Sequence, residues 1–365
     1  MCSTKIIAMY LPQYHCIPEN DLFWGNGFTD WVTVKNARPL YKGHVQPKVP
    51  LNNNYYNLSF EEDVIWQSKL AQKYGVYGFG VYHYWFNNDK NLLTKPAEII
   101  RDSESIDINY FLAWDNASWK RSWSNVAGND WAPLAEREED KKGPAVMIQY
   151  EIGSEPDWEN HYNYLRGHFL SSQYIKVNNK PVFIIFNYSE ETKKMCEYWN
   201  QLSKNDGFDG VYYIYRYNPN VNIDSHFKKF KYEPVFSGWQ KMSLLRRIEL
   251  KLYKMFNLEY RMIKYNYDKI WSDIIENAKK DSSKDLFHGC FVQYDDSPRR
   301  GKKGVVVIGG TPFKFRMYMK QLLEISNKQN KPFVFLTAWN EWGEGAYLEP
   351  DEINKHSYLE AIKNI

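Results

Sequence analysis

Eight short apolar runs, interleaved with stretches of helical periodicity, constrain this chain more than any other feature. The runs are Ile6–Tyr10, Val76–Tyr82, Tyr110–Trp114, Pro181–Phe186, Gly210–Tyr215, Val235–Trp239, His288–Gln293 and Pro332–Ala338. They are nearly continuous where a half-exposed strand would alternate, as expected of parallel strands buried on both faces by crossover helices. Helical periodicity covers Ser59–Tyr74, with Ser59 as N-cap, Gly75 at its end, and Val64, Ile65, Leu70 and Ala71 on one side. It recurs over Trp158–Phe169, Glu191–Ser203, Tyr267–Lys279 and Phe313–Asn327. This order predicts an α/β fold, a (β/α)8 TIM barrel. An open doubly wound sheet is the alternative, but no Gly-x-Gly-x-x-Gly follows the first run. With 365 residues, no internal repeat and no Pro-, Gly- or Ser-rich linker, residues 1–365 read as a single catalytic barrel with loop insertions.

Composition narrows the function. Aromatic residues reach 17%, with 29 Tyr, 20 Phe and 14 Trp, an excess that suits stacking on sugar rings and equally suits a Tyr-rich core. A net charge of +3, from 47 basic and 44 acidic residues, is too even to make nucleic acid the natural partner. The four cysteines, Cys2, Cys16, Cys196 and Cys290, form no Cys-x-x-Cys pair and read as reduced thiols of a cytoplasmic protein. Met1–Pro12 reads as a first strand and not as a signal peptide, and no apolar stretch approaches a membrane span. Histidines lie far apart without His-Glu-x-x-His or Asp-x-Asp, so no metal and no cofactor is expected; nor is there a Gly-x-Ser-x-Gly.

Chemistry-bearing residues gather just after the runs, where a barrel places its active site. Tyr10 and Gln13 follow the first run, His83 and Trp85 end the second, and Trp114, Asp115 and Asn116 close the third. Asp295 and Arg299 follow the seventh, and Asn340, Glu341, Trp342 and Glu344 follow the eighth. Two carboxylates three residues apart among tryptophans suit glycoside cleavage, in which one carboxyl protonates the leaving oxygen and the other acts on the opposite side. Asp115 and Asp295 are further candidates for the basic partner, and Asn340 for a ring hydroxyl. Arg299 fits a catalytic carboxylate, a substrate phosphate or uronate, or a solvated loop. His83 suits the cleft or a core position, and Trp85 and Trp114 suit sugar platforms or packing.

Tyr10, Gln13, His83, Trp85, Asn340, Glu341, Trp342 and Glu344 sit in stretches that resemble the WbsX-type proteins of bacterial polysaccharide clusters, which are related to the endo-α-mannosidases of glycoside hydrolase family 99. The matching stretches are Tyr10–His15, Trp24–Trp31, Gly78–Phe86, Tyr174–Val177 with Lys180–Phe183, and Ala338–Gly345 with Leu348–Asp351. The resemblance adds Trp31 to the substrate-binding candidates and implies a metal-free mechanism with net retention. Glu341 would be the base that draws the proton from the sugar 2-hydroxyl, whose oxygen attacks C1. Glu344 would be the general acid/base at the leaving group. The chain departs from the pattern at Gly343, where endomannosidases carry His. It also reads Trp114-Asp-Asn-Ala117 for the usual Trp-Ala-Asn-Glu, and Tyr294-Asp-Asp296 for Trp-Asp-Asn.

The expectation is therefore an enzyme that cleaves or transfers glycosyl groups on an oligosaccharide or lipid-linked glycan. A nucleotide-sugar-dependent glycosyltransferase and a non-catalytic glycan-binding protein are the alternatives. Residues 241–269 read as a basic helical insertion, with Leu244, Leu245, Ile248, Leu252, Met255 and Phe256 on one face. That face suits packing on the barrel, or contact with the inner face of an anionic membrane.

Overall fold

Eight parallel strands close into a ring in the computed structural model, which describes residues 3–120, 146–240, 262–363 and 365. They are β1 (Lys5–Tyr10), β2 (Gly78–Asn87), β3 (Asn109–Trp114), β4 (Lys180–Ile185), β5 (Tyr212–Arg216), β6 (Lys228–Phe230), β7 (Leu286–Phe291) and β8 (Phe333–Thr337). Register runs without a break around the ring, from Ile7 opposite Gly78 to His288 opposite Val334, and Lys5 opposite Phe333 closes it. The expected barrel is present. Its outer helices include α1 (Glu61–Lys73), α2 (Lys95–Asp102), α3 (Glu155–Leu170), α4 (Glu190–Asn205), α5 (Tyr267–Lys280) and α6 (Pro312–Lys328). Side-chain caps set several helix starts: Ser189 Oγ accepts from Thr192 N–H, Asn266 Oδ1 from Lys269 N–H and Thr311 Oγ1 from Lys314 N–H.

Three local readings are corrected. The sixth strand is Lys228–Phe230, not Val235–Trp239; Phe236–Gln240 is a single π turn, with Phe236 N–H bonded to Tyr232 O. A three-residue strand carrying two lysines leaves no apolar run to read, and the aromatics at 236 and 239 have helical spacing. Ser59 does not cap α1; it donates to Asn57 Oδ1, and the helix starts at Glu61. Of the proposed 241–269 insertion, residues 241–261 lie outside those described. Ile263–Asn266 is a strand paired in parallel with Val305–Ile308, and Lys269 belongs to α5.

Which residues face inward follows from contacts across the ring. Phe335 of β8 meets Phe111 of β3 at 6.2 Å and Phe230 of β6 at 5.0 Å, although neither strand is its neighbour. Their rings therefore fill the barrel interior. Gly80 makes room for them, since a Cβ there would lie 2.9 Å from Met9 Sδ and 3.0 Å from the Phe111 ring. Side chains alternate along a strand. Counting in twos from these positions sends Tyr82, Tyr84, Asp115 and Tyr232 into the mouth of the barrel, and His83, Trp85, Trp114 and Asn116 away from it.

Candidate active site

Beyond β8 the chain is pinned before it presents its carboxylates. Asn340 Oδ1 accepts from Leu11 N–H at 2.7 Å, and its Nδ2 donates to Leu11 O at 3.0 Å, clipping this segment to the end of β1. Tyr14 donates its hydroxyl to Asn340 O at 2.5 Å and accepts from Trp342 N–H at 3.1 Å. Residues Trp342–Glu344 form one 3-10 turn, closed by Gly345 at φ 56. Glu341 immediately precedes this turn and Glu344 ends it, and both carboxylates reach one guanidinium. The Asp295 N–H bonds Glu344 O at 2.6 Å and holds the turn from below.

Arg299 ties the pair together. Its Nη1 donates to Glu344 Oε1 at 2.9 Å and its Nη2 to Glu341 Oε2 at 3.3 Å. The same guanidinium meets Asp30 through Nη2 at 3.2 Å and Nε at 3.3 Å, and Asp30 Oδ2 accepts from Gly343 N–H at 3.1 Å. Position 343 must be glycine for this packing: a Cβ there would sit 2.5 Å from Asp30 Oδ2 and 2.6 Å from Arg299 Nε. The Arg299–Asp30 pair thus fills the space beside the backbone at Gly343. Burial, then the adjacent Glu344 charge, pushes Glu341 up to about 8 against the opposing pull of Arg299. Arg299 itself is driven above the usual guanidinium range: burial works against its charge, but Asp30, Glu341 and Glu344 together outweigh that cost.

The two glutamates and Arg299 border a cavity of about 190 Å³ at the mouth of the barrel. Leu11, Gln13, Tyr82, Tyr84, Asp115, Phe186, Arg216, Tyr232 and Arg300 complete its wall. Tyr82 and Tyr232 share a hydroxyl–hydroxyl bond of 2.8 Å. Asp115 is pushed up to about 6 by burial, against the pull of Arg216. Among the described residues no group of three or more His, Cys, Asp or Glu side chains is arranged to hold a metal ion. No helix among them is long and apolar enough to cross a membrane.

Of the residues singled out from sequence, the structure gathers Gln13, Asp115, Arg299, Glu341 and Glu344 around this cavity. It places the others elsewhere. His83 and Trp85 face α3, where His83 Nε2 lies 2.8 Å from His161 Nε2 and Trp85 stacks on His161 at 4.3 Å. Trp114 donates to Trp85 O and packs on Trp199. Tyr10 points outward to Gln67 Oε1, a bond of 2.5 Å. Asn116 bonds the backbone of Asn187 and joins the ends of β3 and β4. Trp31 donates to Tyr56 O and packs under the turn on Tyr14 and Trp342. Trp342 stacks on Tyr347 at 3.7 Å, donates to Glu349 and borders a separate cavity of about 420 Å³. Asn340 is the clip already described. Asp295 accepts from His44 Nε2 at 2.8 Å and Gln46 Nε2 at 2.7 Å. Burial acts to raise Asp295, but these bonds and one from Ser297 hold it below the usual carboxylate range.

The wall residues not singled out from sequence are Leu11, Tyr82, Tyr84, Phe186, Arg216, Tyr232 and Arg300, with Asp30 behind Arg299. Strand alternation from one known inward residue would have found Tyr82 and Tyr84. Asp30 lies within the Trp24–Trp31 stretch that carries the resemblance, but no spacing links it to the glutamates, because it reaches the site through a helix (Asp30–Asn36) far from β8 in sequence.

Comparison with known proteins now places this barrel. It is similar in fold to the GH99 endo-alpha-mannosidase from Bacteroides thetaiotaomicron, at 11% identity over 100% of this chain and 96% of that chain, TM-score 0.53. A solved glycoside hydrolase-like protein gives a TM-score of 0.60 at 12% identity, covering 100% of this chain and 94% of its own. In sequence, the uncharacterized protein WxcX from two strains of Xanthomonas campestris pv. campestris is 27% identical over 370 residues, 98% of this chain and 49% of theirs. The chain thus spans about half the length of the curated relatives it matches. The model of the carbohydrate-active family described as glycosyltransferase WbsX runs from residue 6 to residue 362, and the chain belongs to that family.

Proposed function

We propose that this protein cleaves or transfers glycosyl groups with retention, using Glu341 and Glu344 as its acid–base pair, on oligosaccharide or lipid-linked intermediates of a bacterial surface polysaccharide. The observation that carries the reading is one guanidinium bonded to both carboxylates beside a cavity of sugar-ring size. Sharing a single fork keeps the two acids close enough to act on one sugar residue, one at the 2-hydroxyl and one at the leaving oxygen. Glu341 takes the proton of the 2-hydroxyl, whose oxygen forms a bond to C1 as the bond to the leaving oxygen breaks. Glu344 protonates that leaving oxygen. Water or an acceptor hydroxyl then opens the three-membered ring at C1, giving its proton to Glu344 while Glu341 returns its proton to O2.

The electrostatics add one point. Burial favours a proton on Glu341, whereas the proposed first step needs Glu341 as the base. Arg299, which bonds both carboxylates, opposes that preference by favouring the charged form of Glu341, the form that can accept the 2-hydroxyl proton. Glycosides with an activated aryloxide leaving group decide the roles, because they need little protonation. Activity retained on them by Glu344→Gln assigns the acid to Glu344; activity retained by Glu341→Gln reverses the assignment.

The family's description favours a second reading, transfer from a nucleotide sugar. Wild type and Glu344→Gln should be incubated with lipid-linked oligosaccharides, with and without nucleotide sugars, and products weighed by mass spectrometry. A mass change that needs no nucleotide and vanishes in the variant is the expected result. A change seen only with a nucleotide sugar overturns it.

A further inference from the structure

The three arginines on the cavity wall are not equivalent. Arg299 is consumed by three carboxylates, and Arg300 pairs with Asp296 at 3.2 Å. Arg216 pairs with no carboxylate among the described residues. A side-chain bond runs from its Nη2 to Asn187 Oδ1, 2.9 Å, and its guanidinium carbon lies 5.2 Å from the Phe186 ring centroid. Asn187 is itself fixed: its N–H bonds Asn116 Oδ1 at 2.7 Å, and its carbonyl accepts from Asn116 Nδ2 at 2.8 Å. The fork is therefore anchored on one edge and supported on one face, at the C-terminal end of β5, with its remaining N–H groups uncommitted.

A guanidinium held this way is a recognition element for a planar or tetrahedral anion, which it can meet with two parallel charge-assisted bonds. Neutral hydroxyls need no such fork. Arg299 offsets the carboxylates beside the reacting bond, and the other wall carboxyl, Asp115, feels the Arg216 charge without an ion pair to it and is pushed by burial toward its neutral form, which leaves the fork open to an anion. We infer that the cavity takes a sugar bearing an acidic group, a carboxylate or a phosphate, and that Arg216, anchored by Asn187 and Phe186, is the residue that selects it. This inference rests on the glycosyl-processing reading of the site, and goes beyond it in naming the charge of the substrate.

The test is binding to matched probes: methyl glycosides of mannose, glucose and galactose, their uronic acids, and their 6-phosphates. Affinities are measured by titration calorimetry on wild type, Arg216→Gln and Glu344→Gln. At least one acidic probe should bind wild type roughly ten- to a hundredfold more tightly than its neutral parent, as a charged hydrogen-bonded pair provides. Arg216→Gln should erase that preference and Glu344→Gln should keep it. A uronate preference identifies a carboxylate sugar, and a 6-phosphate preference a phosphorylated one. Neutral parents binding as well as acids, a preference that survives Arg216→Gln, or no acidic probe binding at all would each overturn the inference. Should Arg216→Gln not fold, Arg216→Lys keeps the charge without the fork. A several-fold weaker preference is expected of it, and an unchanged preference overturns the assignment. Acid preference without any Glu344-dependent turnover would instead remove the glycosyl-transfer reading and leave Arg216 as an anion site.

Discussion

At the end of β2, Tyr82 and Tyr84 turn into the barrel mouth while their neighbours His83 and Trp85 turn out against α3. β3 divides the same way, with Asp115 inside and Trp114 outside. Both regions are buried, aromatic and titratable, and by composition they cannot be told apart. Burial acts on both in one direction, toward the neutral form. Outside, it lowers His83 to about 3 and carries His161 down with it, and their nitrogens face each other at 2.8 Å in a space filled by Trp85, Trp114 and Tyr164. Inside, it raises Glu341 to about 8 beside another carboxylate, a shared arginine and an open cavity. A perturbed pKa is therefore not what distinguishes a site. Space beside the group and a shared arginine are what set the inner region apart as the candidate site.

Substitutions can break this contrast. The largest effect belongs to the inner region: Glu344→Gln should lower turnover by about a hundred- to ten-thousandfold while the folded state persists, read by product formation beside a melting curve. Next comes Arg299→Met, which leaves Asp30, Glu341 and Glu344 without their cation. It should cost roughly 3–5 kcal/mol in urea unfolding, and comparable stability to wild type would show that the three carboxylates find another way to disperse their charge. The outer region should respond in the opposite sense. His161→Ala removes the packing under His83, Trp85 and Trp114, and about 2–3 kcal/mol of stability should go with it while turnover per folded molecule stays within about twofold. A large loss of turnover would return that cluster to the list of working residues.

The smallest expected effect sharpens the electrostatic side. Glu341 has a folded-state value raised above its ordinary 4.5 to about 8, so between those values the folded chain binds more protons than the unfolded one. Its contribution to stability must then fall as pH rises across that window. Asp296 and Glu349, each raised to about 7, and Asp115, raised to about 6, act in the same direction. The share due to Glu341 is the difference between wild type and Glu341→Gln: melting temperatures followed from pH 5 to 8 should decline less steeply in the variant.

Legibility followed the strength of the local signal. Seven of the strands were readable because each carries an apolar run long enough to imply burial on both faces. β6 was not, because three residues suffice to bridge β5 and β7 and two of them are lysines. Glu341 and Glu344 stood out through their spacing and their tryptophan neighbours. Yet those tryptophans are not platforms in the cavity: Trp339 is fully buried, and Trp342 is bonded to Glu349 behind the turn. Polar residues at a strand end are a reliable guide to the right end of a barrel, but not to the right face, since in a strand buried on both sides the hydrophobic pattern no longer marks the parity.

The sequence by itself determined the barrel, the order of its elements, the end at which chemistry collects and the two glutamates, because each is written in periodicity or spacing within a few residues. Only the tertiary structure decided which way each strand end points, that Asp30 and Arg299 meet in the space left by Gly343, and that Arg216 is anchored on Asn187 with no ion pair among the described residues. Those facts depend on closing the ring, which brings residues hundreds of positions apart within hydrogen-bond distance and leaves no trace in the local pattern of any one of them.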